Sequence, residues 1–152
     1  MEHKTAVRVG ALVLSLAMAL PAAAAAVDAD ALLRQAETVR RKDPKAFAET
    51  LAELERVKDS ASATQRRHLR LLQTYQLVLT GKYDAAVQQA LVLHKEAKEL
   101  PLKFRSALLI ANSAAIVRDF SLGLRYLEIA LGLSDQIEDL ELRHQAYLVA
   151  AV

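Results

Sequence analysis

From Asp28 onward the apolar residues recur every three or four positions, and almost no stretch alternates apolar and polar side chains as a half-buried strand would. That periodicity predicts seven helices. The first covers about Asp30 to Arg41. The second opens at Asp43-Pro44, where the carboxylate caps exposed amides and the proline needs no donor, and it runs to about Lys58. The polar stretch Asp59 to Thr64 supplies a turn and a cap for a third helix, about Gln65 to Leu79, which Gly81 ends. A fourth runs from Lys82-Tyr83-Asp84 to about Glu99, and Pro101 marks the start of a fifth over about Leu102 to Arg118. The sixth covers about Ser121 to Leu133, and the seventh opens near Asp135 and is still running at Val152.

The even-numbered helices repeat one another. Gly81-Lys-Tyr83-Asp-Ala-Ala86-Val87 falls on Arg118-Asp-Phe120-Ser-Leu-Gly123-Leu124 at an offset of 37 residues, aromatic on aromatic and small on small, and Asp43-Pro-Lys-Ala falls on Lys82-Tyr-Asp-Ala at an offset of 39. The period is that of one helical hairpin. A hairpin exposes an apolar face that it cannot bury alone, so the expected class is all-α, with antiparallel hairpins stacked as a right-handed α-solenoid.

The segment before Asp28 has a different pattern. Lys4 and Arg8 precede the apolar run Gly10 to Leu20, followed by Pro21 and five alanines. A charged head, an apolar stretch and small residues at the cleavage point are the three parts of a secretory signal peptide. Residues 1–26 are therefore expected to direct export, with cleavage after Ala26 and a periplasmic or secreted domain over 27–152. The alternative is an uncleaved membrane anchor, since Val9 to Val27 approaches the length of about 20 residues that spans a bilayer. At the other end, Ala146-Tyr-Leu-Val-Ala-Ala-Val152 carries no charge, Gly or cap. An apolar terminal helix in a repeat array predicts either that the natural sequence continues or that another chain covers this end, a second copy included.

Composition narrows the function class. The chain of 152 residues is 53% hydrophobic and 25% charged, with four Gly, three Pro and no Cys. Without Lys4, Arg8 and Glu2 the charges are 18 basic against 17 acidic, alternating in sign, and the seven aromatics are scattered. That is not the basic stripe with aromatic platforms of a nucleic-acid binder. His68, His94 and His144 lack metal-ligand spacing, Ser106, Ser113 and Ser121 lack a nucleophile elbow, and no Gly-rich phosphate loop occurs. Neither metal, cofactor nor catalysis is expected. Asp135, Glu138, Asp139 and Glu141 read as acidic groups in the first turns of a helix. Arg66, Arg67 and Arg70, with Arg40, Arg41 and Lys42, are interleaved with acids and read as a solvated face.

Over Leu72 to Leu133 the residues resemble the tetratricopeptide repeat. Ile110-Ala111-Asn112 resembles the run in the first helix of that repeat, and Phe120, Gly123, Leu127 and Ala130 match its aromatic, small, bulky and small positions. Gly81, Tyr83 and Ala86 match in the preceding hairpin, which departs from the pattern at Thr74 and Ala90. The periods of 37 and 39 also exceed the regular 34. In organisation, an exported segment followed by such repeats, with Asp-Ala-Asp-Ala-Leu-Leu-Arg-Gln-Ala-Glu at its start, is similar to the sensory regions of bacterial GGDEF-type diguanylate cyclases. No cyclase motif is present in the chain, so such an activity would lie on further sequence.

The resemblance implies that the first helices of successive hairpins line a concave surface. On it would fall His68, Leu71, Tyr75 and Val78 from one hairpin and Arg105, Leu108, Asn112 and Ala115 from the next. Arg105 is expected to take a carboxylate, Asn112 a peptide backbone group, and Tyr75 to offer a rigid face with a polar tip. The alternative is that Tyr75 and Leu108 belong to the core. The expected function is a sensory or interaction module for a peptide or protein. A self-assembling structural repeat protein is the other reading.

Overall fold

The computed structural model describes residues 28–150, with side chains as far as Ala146; the segment read as a signal peptide and the chain's last residues lie outside it. The described residues form seven α-helices and one 3-10 turn, with no strand among them. The helices are α1 (Ala29–Val39), α2 (Pro44–Val57), α3 (Ala63–Leu79), α4 (Tyr83–Glu96), α5 (Leu100–Ile116), α6 (Phe120–Ser134) and α7 (Leu140–Ala150), and the turn Lys58–Ser60 follows α2. None is long and apolar enough to cross a membrane.

Local chemistry sets the boundaries. Asp28, Asp43 and Asp119 each accept an amide of the first turn of α1, α2 and α6. Ser62 and Gln65 form a reciprocal capping box at the start of α3, satisfying two amides that the helix leaves without partners. Several boundaries shift by two or three residues, α4 ending at Glu96 rather than near Glu99, and two shifts have a local cause. Pro101 sits in the first turn of α5, so that helix begins one residue before it, at Leu100. The last helix starts at Leu140 rather than near Asp135, because α6 continues to Ser134 and the link after it is pinned by Ile137, which is buried. Arg143 donates from Nε to the Ile137 carbonyl at 3.1 Å, and Asp139 accepts the Leu142 amide at 3.1 Å. Asp139 is thus the cap and Glu141 lies in the first turn, whereas Asp135 and Glu138 stand outside the helix.

The turns after α3 and α5 close in the same way, 37 residues apart. Lys82 N–H donates to the Leu77 carbonyl at 2.8 Å and Gly81 N–H to Val78 at 3.1 Å; Asp119 donates to Ala114 at 2.9 Å and Arg118 to Ala115 at 3.1 Å. Both need a left-handed residue, with φ of +74° at Gly81 and +65° at Arg118. The turn after α1 differs: Lys42 and Asp43 both donate to Val39, at 2.9 Å.

Each helix packs against its neighbours in sequence, and α1, α3, α5 and α7 also pack in a row. Three apolar clusters follow along the chain. The first joins Leu32, Leu33, Phe47, Leu51, Leu54, Leu69 and Leu72. The second joins Leu71, Ala90, Leu93, Leu102, Leu109 and Ile110, and the third Phe104, Ala107, Leu108, Ala130, Ile137 and Ala146. Tyr75 bridges the first two and Tyr126 the last two, so the core is continuous. At Gly123 a Cβ would lie 3.3 Å from the Ala111 carbonyl, so the small residue lets α5 and α6 approach closely.

Candidate functional site

Where the row of odd-numbered helices faces outward, it lines a groove of about 500 Å³. Its walls are Glu37 from α1 and Arg40 at the C-cap of that helix, His68 from α3, Pro101 and Arg105 from α5, and Asp139, Glu141, Leu142 and Gln145 around the start of α7. A smaller recess continues from His68 and Arg105 toward Thr64 and Glu99.

Glu37 organises the floor. Arg105 Nη1 donates to its Oε1 at 2.6 Å and Nη2 to its Oε2 at 3.0 Å, a two-pronged guanidinium–carboxylate pair across 68 positions of sequence. His68 Nε2 donates to the same Oε1 at 2.7 Å. Burial by itself would raise the Glu37 carboxyl, but the hydrogen bonds from His68 and Arg105, with the charges of Arg105 and Arg40, outweigh it and hold the group at about 2. Glu37 is therefore an anion at any physiological pH.

Arg40 follows one turn later, as the C-cap of α1. It is 9% exposed, and its guanidinium carbon lies over the Tyr75 ring, 3.9 Å from the centroid, while that of Arg105 stands 5.3 Å from the same centroid. Such proximity attracts a cation to the electron-rich face of the ring. Burial pushes the Tyr75 hydroxyl up, and the two positive charges of Arg105 and Arg40 more than reverse that, so it lies below the ordinary tyrosine range. Arg40 Nε is 3.6 Å from Glu37 Oε2, an ion pair without a hydrogen bond, and both Nε and Nη1 of Arg40 are buried with no hydrogen-bond partner. Buried guanidinium N–H groups are seldom left so, since each forgoes the water that would have solvated it.

The expected surface residues separate into three groups. His68, Tyr75 and Arg105 come together around Glu37. Leu71 and Leu108 are buried in the second and third clusters and belong to the core. Asn112 is exposed on α5, two turns beyond Arg105, and does not line the groove; Ala115 is exposed and Val78 half-buried. Arg105, expected to receive a carboxylate from outside, already holds one from within the chain. Glu37 went unremarked in the sequence, where nothing distinguishes it from any exposed helical Glu. Arg40, grouped there with the solvated basic residues, departs from Arg41 and Lys42, which are exposed. The basic run on α3, expected as a solvated face, is instead partly paired: Arg66 is exposed, while the half-buried Arg67 pairs with Glu99 and Arg70 with Glu96.

A second polar cluster lies between α4, α5 and α6. His94 Nδ1 is 3.0 Å from the Lys103 carbonyl and 3.1 Å from Ser106 Oγ, and its ring meets Tyr126 edge to face at 5.3 Å between centroids. Ser106 in turn donates to the Lys103 carbonyl at 2.9 Å. Burial pushes His94 below the ordinary histidine range. No group of His, Asp and Glu among the described residues is arranged to hold a metal ion.

Comparison of the chain with protein-family models, with curated proteins and with solved structures finds no match. The geometry of the groove therefore has to carry the functional reading.

Proposed function

We propose that the chain is an exported, tetratricopeptide-like solenoid whose groove binds a peptide or protein, as an interaction or sensory module of the periplasm or extracellular space. The observation that carries this is the groove itself: α1, α3, α5 and α7 converge on one open cavity whose floor joins the charged Glu37, Arg40 and Arg105 with the imidazole of His68. A purely structural array has no need of a half-buried, net-charged floor, because taking charges from water opposes folding unless each is fully paired. The solenoid part of the reading is supported by the paired turns 37 residues apart and by the row of odd-numbered helices. A role as the input region of a diguanylate cyclase rests on the N-terminal pattern and the repeats together.

A self-assembling role is favoured by a different observation. Ile116, Phe120 and Leu124, at the α5–α6 turn and along α6, are exposed, Phe120 to 61% and Leu124 to 62%. Apolar neighbours one turn apart on a surface form a patch suited to association.

Selection of a displayed random peptide library on the purified chain separates the two. Peptides enriched on the wild type should be lost with Gln145→Trp, which fills the groove, and kept with the double change Phe120→Ser and Leu124→Ser. If no groove-dependent peptide emerges, and light scattering finds self-association abolished by the double change, the binding reading gives way to assembly.

A further inference from the structure

Arg40 is the one floor residue whose chemistry is incomplete. Its neighbour Glu37 has accepted three hydrogen bonds from Arg105 and His68 and gives Arg40 none. The guanidinium is nine-tenths buried, the Tyr75 ring beside it attracts the charge, Nε and Nη1 make no hydrogen bond to any side chain or carbonyl, and the residue borders the cavity. With two guanidiniums and one carboxylate, the floor holds an excess of one positive charge that nothing on α1, α3 or α5 balances.

The opposite wall has the reverse imbalance. Asp139 uses one oxygen to cap α7, and Glu141 is exposed in the first helical turn, so both carboxylates face the cavity beside Leu142 and Gln145 with no cation paired to them among the described residues. Arg40 and Arg105 against Glu37, Asp139 and Glu141 sum to −1 over the arginines and carboxylates of the cavity. A dianion such as phosphate would meet three carboxylates within a small volume, which disfavours it. A ligand with a single carboxylate at one end and a cation at the other meets a complementary charge at both ends. The volume also suits a small molecule or a few residues of peptide.

We propose that the groove takes a short zwitterionic ligand, a free amino acid or the carboxyl end of a peptide, with its carboxylate on Arg40 and its cationic group between Asp139 and Glu141. This rests on the groove-binding reading above and specifies its ligand. Seating the carboxylate needs only that the Arg40 fork, beside the Tyr75 ring, turn its unpartnered Nε and Nη1 toward the cavity. Planar two-pronged recognition is what guanidinium offers a carboxylate and what an ammonium does not.

The test uses the purified chain and affinity selection with mass spectrometry on four probes: a tripeptide library with both ends free, the same library amidated at the C-terminus, the same library acetylated at the N-terminus, and a mixture of single amino acids. Tripeptides with free ends should be retained, and amidation should weaken retention roughly 10- to 100-fold, as expected for loss of a hydrogen-bonded charge pair. Acetylation should weaken it less, since Asp139 and Glu141 lie nearer solvent. Arg40→Gln should erase the difference between free and amidated libraries, and Arg40→Lys should restore it in part. The effect of amidation is measured on the wild type and does not depend on either variant folding. Retention of the single amino acids but not of tripeptides identifies the free amino acid as the source; the converse identifies a peptide end. If free and amidated tripeptides are retained equally and Gln145→Trp still abolishes both, the carboxylate assignment is overturned and the groove reading stands. If the wild type retains no probe and the displayed library also yields nothing, both are overturned.

Discussion

His68 and His94 are both half-buried histidines on helices that pack against α5, yet they sit in opposite electrostatic settings. His94 lies against a backbone carbonyl and a hydroxyl, within a cluster that is neutral and closed on itself by Tyr126. His68 donates to a carboxylate that two guanidiniums also surround, at the edge of an open groove. The first arrangement is what a helix interface needs in order to bury a polar side chain: every donor finds an acceptor and no charge is taken from water. The second gathers three ionic side chains from α1, its C-cap and α5 and leaves one of them, Arg40, without a side-chain hydrogen bond, which stability alone does not require. The difference between a satisfied interface and an unsatisfied one is what directs attention to the groove.

The comparison is tested most strongly at Glu37. Glu37→Gln keeps the shape of the side chain but leaves Arg40 and Arg105 as half-buried cations without an anion. The expected loss is about 3–5 kcal/mol in denaturant-induced unfolding at neutral pH. A loss under 1 kcal/mol would place the ion cluster in effectively aqueous surroundings and remove the contrast with His94.

Acid should separate the clusters next. The Glu37 carboxyl falls from an ordinary 4.5 to about 2 on folding, so its contribution is complete above 4.5 and is lost as pH drops through that interval toward 2. The shift corresponds to about 3 kcal/mol at most, since the side chain keeps some access to solvent. Glu99, also held at about 2, chiefly by its hydrogen bond from Arg67, titrates in the same range but near the surface. The Glu37 part is therefore read as the difference between wild type and Glu37→Gln. His94 is lowered on folding, so the folded chain resists its protonation, and stability should begin to fall as pH drops below the ordinary histidine value of 6.5, before any carboxylate titrates. His94→Gln should remove that early slope and leave the later one. Stability curves at successive pH values check both; a single transition window common to both variants would contradict the assignment.

The smallest effect belongs to the neutral cluster. Ser106→Ala removes one acceptor from His94 and one bond to the Lys103 carbonyl while the main His94 contact stays. A loss of about 1 kcal/mol in thermal or denaturant unfolding is expected, with no change in peptide selection by the groove. A change in selection would mean that the two clusters are coupled through α5.

Local order determined most of what the sequence itself decided. Asp43-Pro44, the polar stretch before α3, Gly81 and the recurrence of Gly81-x-Tyr83 in Arg118-x-Phe120 act within one or two turns, where capping, φ and side-chain spacing leave little freedom. They were enough to give seven helices, most of their ends, and the all-α class. They also put His68 and Tyr75 on one face of α3, because residues near-integral turns apart on a helix share a face whatever that helix packs against, while Arg105 joins them only through the packing of α5 on α3. Where the local signals were several, the outcome fell to packing: four acids between Asp135 and Glu141 could each begin a helix, and the burial of Ile137 selected Asp139. The left-handed turn at Arg118 is likewise imposed by the α5–α6 hairpin on a residue that does not favour it.

Which charges meet was decided only by the tertiary structure. Glu37 reaches His68 and Arg105 across 31 and 68 positions, and Arg40 leaves the company of Arg41 and Lys42 to lie on Tyr75. No local rule links these residues, since each has acceptable solvated alternatives on its own helix. The stacking of α1, α3 and α5 in one row sets their separations. Burial then raises the strength of each pairing, and the cost of each missing one, to the point where they define a site.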